Sequence, residues 1–163
     1  MDVGLLMIVK DEAANVRPCL APILHLFAQV RVADTGSSDD TVAELRKLGI
    51  EPRSDQTRAH ECWSLAAVRN RLLQHLSTPW ILSLDADERL DAAGLASLLS
   101  RTEEVGGWFT AWNTHLPDGS VIVDYKLPLY HRQFCRRGVV HDNVQVDLRR
   151  QGGSARWSDD VVL

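Results

Sequence analysis

Over its first ninety residues the chain alternates short apolar runs with helix-period stretches, and the apolar runs break off into acidic or polar clusters. Gly4 to Val9 is nearly all apolar and gives way to Lys10-Asp11-Glu12. Val30, Val32 and Ala33 form a second run, which stops at Asp34. Trp80 to Leu84 is another, closed by Asp85-Ala86-Asp87-Glu88. Runs this short and apolar are strands covered on both faces, the habit of a parallel sheet. The first ninety residues therefore read β-α-β-α-β-α-β. This implies an α/β fold, a doubly wound, mostly parallel sheet with helices on both faces and a β-rich C-terminal part.

Between the runs, Val16, Leu20, Ile23, Leu24 and Phe27 have helical spacing, with Pro18 expected in the first turn. Thr41 and Glu44 have capping-box spacing, and Gly49 is placed to end the second helix. Ile50 to Arg53 is expected as a short edge strand, and Cys62 to Leu76 as a helix. Leu95, Leu98 and Leu99 mark another helix. Beyond it the pattern turns β-rich. Trp108 to His115 and Val121 to Val123 flank the turn Pro117-Asp118-Gly119, and Leu127 to Phe134 and Val139 to Val146 also read as extended. Trp108 and Trp112 lie four apart and would share a face of a strand, packed in the core or stacked on a ligand.

With 163 residues the chain is expected to be one domain. Its net charge of -4 disfavours a nucleic-acid partner. No apolar stretch reaches membrane-spanning length, and the N-terminus lacks the features of a signal peptide. Cys19, Cys62 and Cys135 are odd in number and widely spaced, which suggests buried thiols in a reducing compartment and a cytoplasmic location. There is no Gly-x-Gly-x-x-Gly after the first strand, no Gly-x4-Gly-Lys-Ser/Thr and no Gly-x-Ser-x-Gly. This disfavours a dinucleotide dehydrogenase, a P-loop NTPase and a serine hydrolase of the nucleophile-elbow type.

In doubly wound sheets, ligands bind beyond the carboxyl ends of the strands. Asp11-Glu12, Asp34 to Asp39 and Asp85 to Glu88 would all meet there. Taken alone, Asp85-Ala86-Asp87 is either a metal site or the acidic start of the next helix. Two carboxylates so close repel unless a cation sits between them, and a divalent metal on a phosphate-bearing substrate would serve.

Four blocks together resemble the family 2 glycosyltransferases. They are Ile8-Val9-Lys10-Asp11-Glu12, Val32-Ala33-Asp34 through Asp39-Asp40-Thr41, Ala66-Ala67-Val68-Arg69-Asn70 and Trp80 through Asp85-Ala86-Asp87-Glu88, over roughly residues 4 to 91. Phe134-Cys135-Arg136-Arg137-Gly138 and Val140-His141-Asp142 resemble the later blocks of the bacterial cell-envelope branch. The resemblance implies a GT-A fold and transfer of a sugar from a nucleotide-diphosphate sugar, UDP-linked, to an acceptor hydroxyl, with Mg²⁺ or Mn²⁺. By the same resemblance, residues 1-91 form the nucleotide-binding half and 92-163 the acceptor side. Glu12, Asp34 and Asp39 would lie at base and ribose, and Arg69 would reach the nucleotide. Asp87 would bind the metal and Asp85 the ribose or the metal's waters. Glu88 is open between helix cap and ligand. Asp142 would be the base that takes the acceptor proton, although the family usually has Glu there, and His141 would bind the metal or the diphosphate. Relatives continue past Val161-Val162-Leu163, so the acceptor half is expected to be short. The competing expectation is a nucleotide-sugar binding module without turnover.

Overall fold

The computed structural model describes residues 2–55, 65–101, 106–134 and 145–162. Among them, seven strands form one sheet. The elements are β1 (Val3–Val9), α1 (Ala13–Leu20), β2 (Gln29–Asp34), α2 (Thr41–Lys47), β3 (Arg53–Ser54), α3 (Leu65–Leu73), β4 (Trp80–Ser83), α4 (Ala92–Leu99), β5 (Gly107–His115), β6 (Val121–His131), α5 (Gln145–Arg150) and β7 (Ala155–Val162), with a 3₁₀ turn at Leu24–Leu26. The sheet order is β3-β2-β1-β4-β6-β5-β7. Strands β1 to β4 are mutually parallel, β6 runs against β4 and β5, and β7 runs parallel to β5.

Alternation along β1 divides the core into two layers. Val3, Leu5, Met7 and Val9 face one side, where Val16, Cys19, Leu20 and Ile23, Leu45 of α2, and Leu95, Leu98 and Leu99 of α4 cover them. Leu6 and Ile8 face the other side, under Val68, Leu72 and Leu76. Each Leu of β1 is 0% exposed, and burying one such side chain is worth about 1.5–3 kcal/mol. A strand buried on both faces has no place for a polar residue until it leaves the sheet, which is why the charges begin at Lys10. Gly4 is required by close approach, since a Cβ there would sit 2.4 Å from Thr78 Oγ1.

The α/β class, the parallel order and the helices on both faces agree with the sequence reading; several local expectations do not. α1 begins at Ala13, so Pro18 lies inside the helix rather than in its first turn. A proline there leaves the carbonyl four residues back without its donor, and α1 ends two residues later, with Pro18 on the exposed face. The capping box does not form. Thr41 is the first helical residue of α2, behind Asp40, whose own side chain makes no capping bond. Its hydroxyl accepts from Glu12 N at 2.7 Å and hydrogen-bonds Asp39, while Glu44 pairs with Lys47 and Arg17. Gly49 ends α2 as expected, at φ 78°. The edge strand falls at Arg53–Ser54. β6 is one strand of eleven residues rather than two separate runs. Gln145 and Val146 open helix α5 instead of closing a strand; the rest of the 139–146 expectation lies outside the described residues. The Pro117-Asp118-Gly119 turn forms, with Gly119 at φ 84°.

Candidate functional site

The parallel strands β2, β1 and β4 lie side by side, so their carboxyl ends share one edge of the sheet. The chain moves from β1 outward to β2 and β3, then returns past β1 to β4. The crevice between β1 and β4 is thus the topological switch point. Glu12, Asp34, Asp39, Asp85 and Asp87 follow the ends of these three strands. His141 and Asp142 lie outside the described residues.

At the ends of β1 and β2 the two loops are laced together. Asp11, at φ 55°, takes Ser38 N at 2.7 Å and Ser38 Oγ at 3.0 Å on one carboxylate oxygen, and its own N–H donates to Ser37 Oγ. Aspartate tolerates this left-handed conformation better than most residues. Asp39 accepts from Thr41 N at 3.0 Å and from Ala13 N at 3.1 Å, so one carboxylate caps α2 and the start of α1. The Thr41 hydroxyl bond chiefly holds the Asp39 carboxyl below its usual range, and the Ser38 backbone bond does the same for Asp11. Asp34 is buried. Its oxygens accept from Ser37 N, Ser37 Oγ and Gly36 N, folding the loop back onto the end of β2. Glu12 takes Asn15 Nδ2 at 2.8 Å.

The end of β4 is a closed turn. Asp85 N–H donates to Glu88 Oε2 at 2.8 Å, and Glu88 N–H donates back to Asp85 O at 3.1 Å. Ala86 points into the core and Asp87 is exposed. Arg89 grips the carbonyls of Ala86 and Glu88 and reaches Asn15 Oδ1 at 3.0 Å, spanning the crevice from α1 to this turn. Glu88 is neither a helix cap nor an exposed ligand. It is 4% exposed, burial lifts its carboxyl above the ordinary value against the pull of Lys126, and the cap of α4 is Asp91, which takes Gly94 N at 2.6 Å.

The cation expected beside Asp85 is supplied by the protein. Arg69 Nη2 donates to Asp85 Oδ1 at 2.7 Å, and Lys126 Nζ donates to Asp85 Oδ2 at 3.0 Å and to Glu88 Oε1. Burial works against the Lys126 ammonium, but the two carboxylates outweigh it and raise its pKa above the ordinary value. Arg69 is no surface residue of its helix; it is 7% exposed.

These residues fit a hard divalent ion in one form. Among the described residues no three His, Cys, Asp or Glu are grouped to hold a metal, so an all-protein cage is not what they make. Asp87 is exposed and has no hydrogen-bonding or ion-pair partner among them. Mg²⁺-type ions commonly take only one or two carboxylates and fill the remaining positions with water and substrate phosphate, and Asp87 suits that role.

Sequence reasoning missed Lys126, Asn15 and Arg89. A signal for Lys126 was present, a lone cation in a β-rich run. Its meaning depends on an antiparallel pairing that no local pattern encodes. Trp108, read as core or ligand platform, is 3% exposed, and the Arg101 guanidinium lies 5.3 Å from its ring centre. The register of β5 against β6 shifts between Trp108 and Thr110.

No helix among the described residues is long and apolar enough to cross a membrane. The lipopolysaccharide core biosynthesis glycosyltransferase LpsC of Rhizobium meliloti is 32% identical over 114 residues, 68% of this chain and 42% of that protein. A TPR repeat-containing protein of Synechococcus elongatus is 35% identical over 104 residues, 63% of this chain and 24% of that protein. The chain thus spans between about a quarter and two-fifths of these curated relatives. Among solved structures, glucosyl-3-phosphoglycerate synthase from Mycobacterium tuberculosis, in complex with Mn²⁺, UDP-glucose and phosphoglyceric acid, aligns over 98% of this chain and 69% of its own, with TM-score 0.71 and 13% identity. S. aureus TarS aligns over 75% of this chain and 38% of its own, with TM-score 0.58 and 15% identity. Both likenesses concern the fold. The family model described as Glycosyl transferase family 2 matches residues 5–144, and with the order of strands and the acidic crevice already in place, the chain belongs to that family.

Proposed function

We propose that the chain is the donor-binding part of a glycosyltransferase that moves a sugar from a UDP-linked donor to an acceptor hydroxyl with the help of Mg²⁺ or Mn²⁺. The observation that carries this reading is the crevice between β1 and β4, closed at its β4 side by a turn that buries Glu88 and presents Asp87 outward. The M. tuberculosis synthase that shares the fold binds Mn²⁺ and UDP-glucose, which supports the choice of donor and ion.

Within this reading Glu12, Asp34 and Asp39 lie on the base and ribose side, and Asp85 faces the ribose. Arg69 acts through Asp85, which it holds. Asp87 would hold the ion together with the diphosphate oxygens. When bound, the ion neutralises charge on the departing diphosphate. The chain's own part is to hold that carboxylate still and to keep the crevice shaped for the nucleotide. If the transfer inverts, the acceptor hydroxyl must lose its proton to a carboxylate. Asp142 is the proposed base, with His141 beside it as a second ligand of the ion or diphosphate. We further read residues 1–163 as one domain, with the donor half before residue 92 and the acceptor half after it, acting in the cytoplasm in cell-envelope biogenesis.

Calorimetric titration of UDP with and without Mn²⁺ tests the reading. The wild-type chain is expected to bind UDP more tightly with Mn²⁺, and Asp87→Ala to lose at least about tenfold of that affinity, or 1.4 kcal/mol, while its metal-free affinity stays unchanged. Equal UDP affinity with Mn²⁺ in wild type and variant overturns the metal role. Tight UDP binding with no transfer or hydrolysis of any UDP-sugar favours a binding module instead.

A further inference from the structure

We propose that Lys126 is a positioning residue, the resident cation of the acidic turn, which holds Asp85 and Glu88 in place before any divalent ion or diphosphate arrives. The placement follows from strand register. β6 pairs with β4 through Leu82↔Leu129, Ile81↔Tyr130 and Trp80↔His131. Between Leu129 and Lys126, β6 carries one residue more than β5 does over the same stretch, and Lys126 reaches the turn that follows β4. There its ammonium bridges the Asp85 and Glu88 carboxylates. With Arg69 on the other oxygen of Asp85, both carboxylates of the turn meet a protein cation.

The pairing matters because Glu88 is buried. Its side chain is 2% exposed and that of Arg69 8%, and a buried carboxylate without a partner is strongly unfavourable. The turn is held three ways at once: by the reciprocal bonds between Asp85 and Glu88, by the grip of Arg89 on the Ala86 and Glu88 carbonyls, and by Lys126. None of these needs a metal. Asp87 is left as the carboxylate turned toward solvent, so an arriving ion meets a site already built and does not have to order it.

This role rests on reading the crevice as a donor site, but its test uses no nucleotide, so failure of the two readings can be told apart. Thermal unfolding of the full chain is followed in EDTA and in Mn²⁺ alone. Wild type is expected to unfold at nearly the same temperature in both. Lys126→Met keeps the alkyl stem and removes the charge. It is expected to lose about 5–10 °C in EDTA and to recover a large part of that in Mn²⁺, because the divalent ion takes over the vacated position between the carboxylates. Lys126→Arg is expected to restore the wild-type indifference to Mn²⁺. A Lys126→Met protein that responds to Mn²⁺ no more than wild type overturns the proposal. Should Lys126→Met fail to fold, Glu88→Gln combined with Lys126→Met decides, since removing both charges is expected to recover a folded protein. A double variant as unfolded as the single one overturns the assignment.

Discussion

At the scale of single residues, burial decides chemistry that residue type leaves open. Cys19 is 2% exposed, with Sγ 3.7 Å from the carbonyl of Asp85. Burial pushes its thiol up to about 12. At pH 8 on the order of one Cys19 thiol in ten thousand is then ionised, and the thiolate is the nucleophile. Cys19 is expected to escape iodoacetamide in the native protein and to react fully in urea. Peptide mass spectrometry distinguishes it from Cys62 and Cys135, and rapid native labelling of Cys19 would refute the assignment. Arginine makes the same point. Arg69 and Arg71 sit two apart on α3, yet Arg69 is buried against Asp85 while Arg71 is exposed and pairs with Asp55 at 2.9 Å. Their positions on the helix separate them; their chemistry does not.

At the scale of elements, the departures from expectation have local causes. Pro18 leaves the Ala14 carbonyl of α1 without a helical donor, because it lacks the N–H for that bond. Replacing it with alanine recovers that bond in the helix interior, where proline costs about 3 kcal/mol relative to alanine. The looser unfolded chain offsets about 0.4–1 kcal/mol of this, and partial relaxation of the short helix reduces the gain further. Pro18→Ala is expected to stabilise the protein by about 1–2 kcal/mol, seen as a higher urea midpoint at unchanged slope. An unchanged or lower midpoint would mean that the unmade bond costs α1 nothing. The failed capping box in α2 teaches a related lesson. Thr41 and Glu44 have the right spacing, but the Glu12 amide from another loop takes the hydroxyl first.

At the scale of the whole molecule, the crevice is held by bonds between segments far apart in sequence. Asp39 caps the start of α1 across 26 residues, and Asp11 ties back to Ser38. Both carboxyls are held below their usual value of 3.8 by these hydrogen bonds. A carboxyl whose folded pKa is depressed adds stability that is complete above its unfolded pKa and is lost as pH falls through the folded one. The lacing of the β1 and β2 loops is therefore expected to hold down to about pH 4 and to loosen below it. Asp39→Asn should unfold at a lower temperature than wild type at pH 7, and the gap should close as pH falls under 3.8. A gap that stays constant from pH 7 to pH 3 would show that the Asp39 charge plays no part.

The order of residues along the chain reveals the layer architecture, since apolar runs of strand length alternating with helix-period stretches bury themselves as a covered parallel sheet. It also shows where the polar clusters gather, because β1, β2 and β4 are each followed by an acidic or polar cluster and parallel strands put those ends on one edge. What the carboxylates do there depends on contacts between segments far apart in the chain. Asp34 and Asp39 are turned onto their own loops, Glu88 is buried, and Asp85 is neutralised by Arg69 and Lys126 from two other elements. The reason is physical. Alternation and helical period are local and can be read along the chain. The partner of a charge is set by the antiparallel register of β6 against β4 and by the packing of α3, and such long-range pairing leaves no periodic trace in the residues that make it.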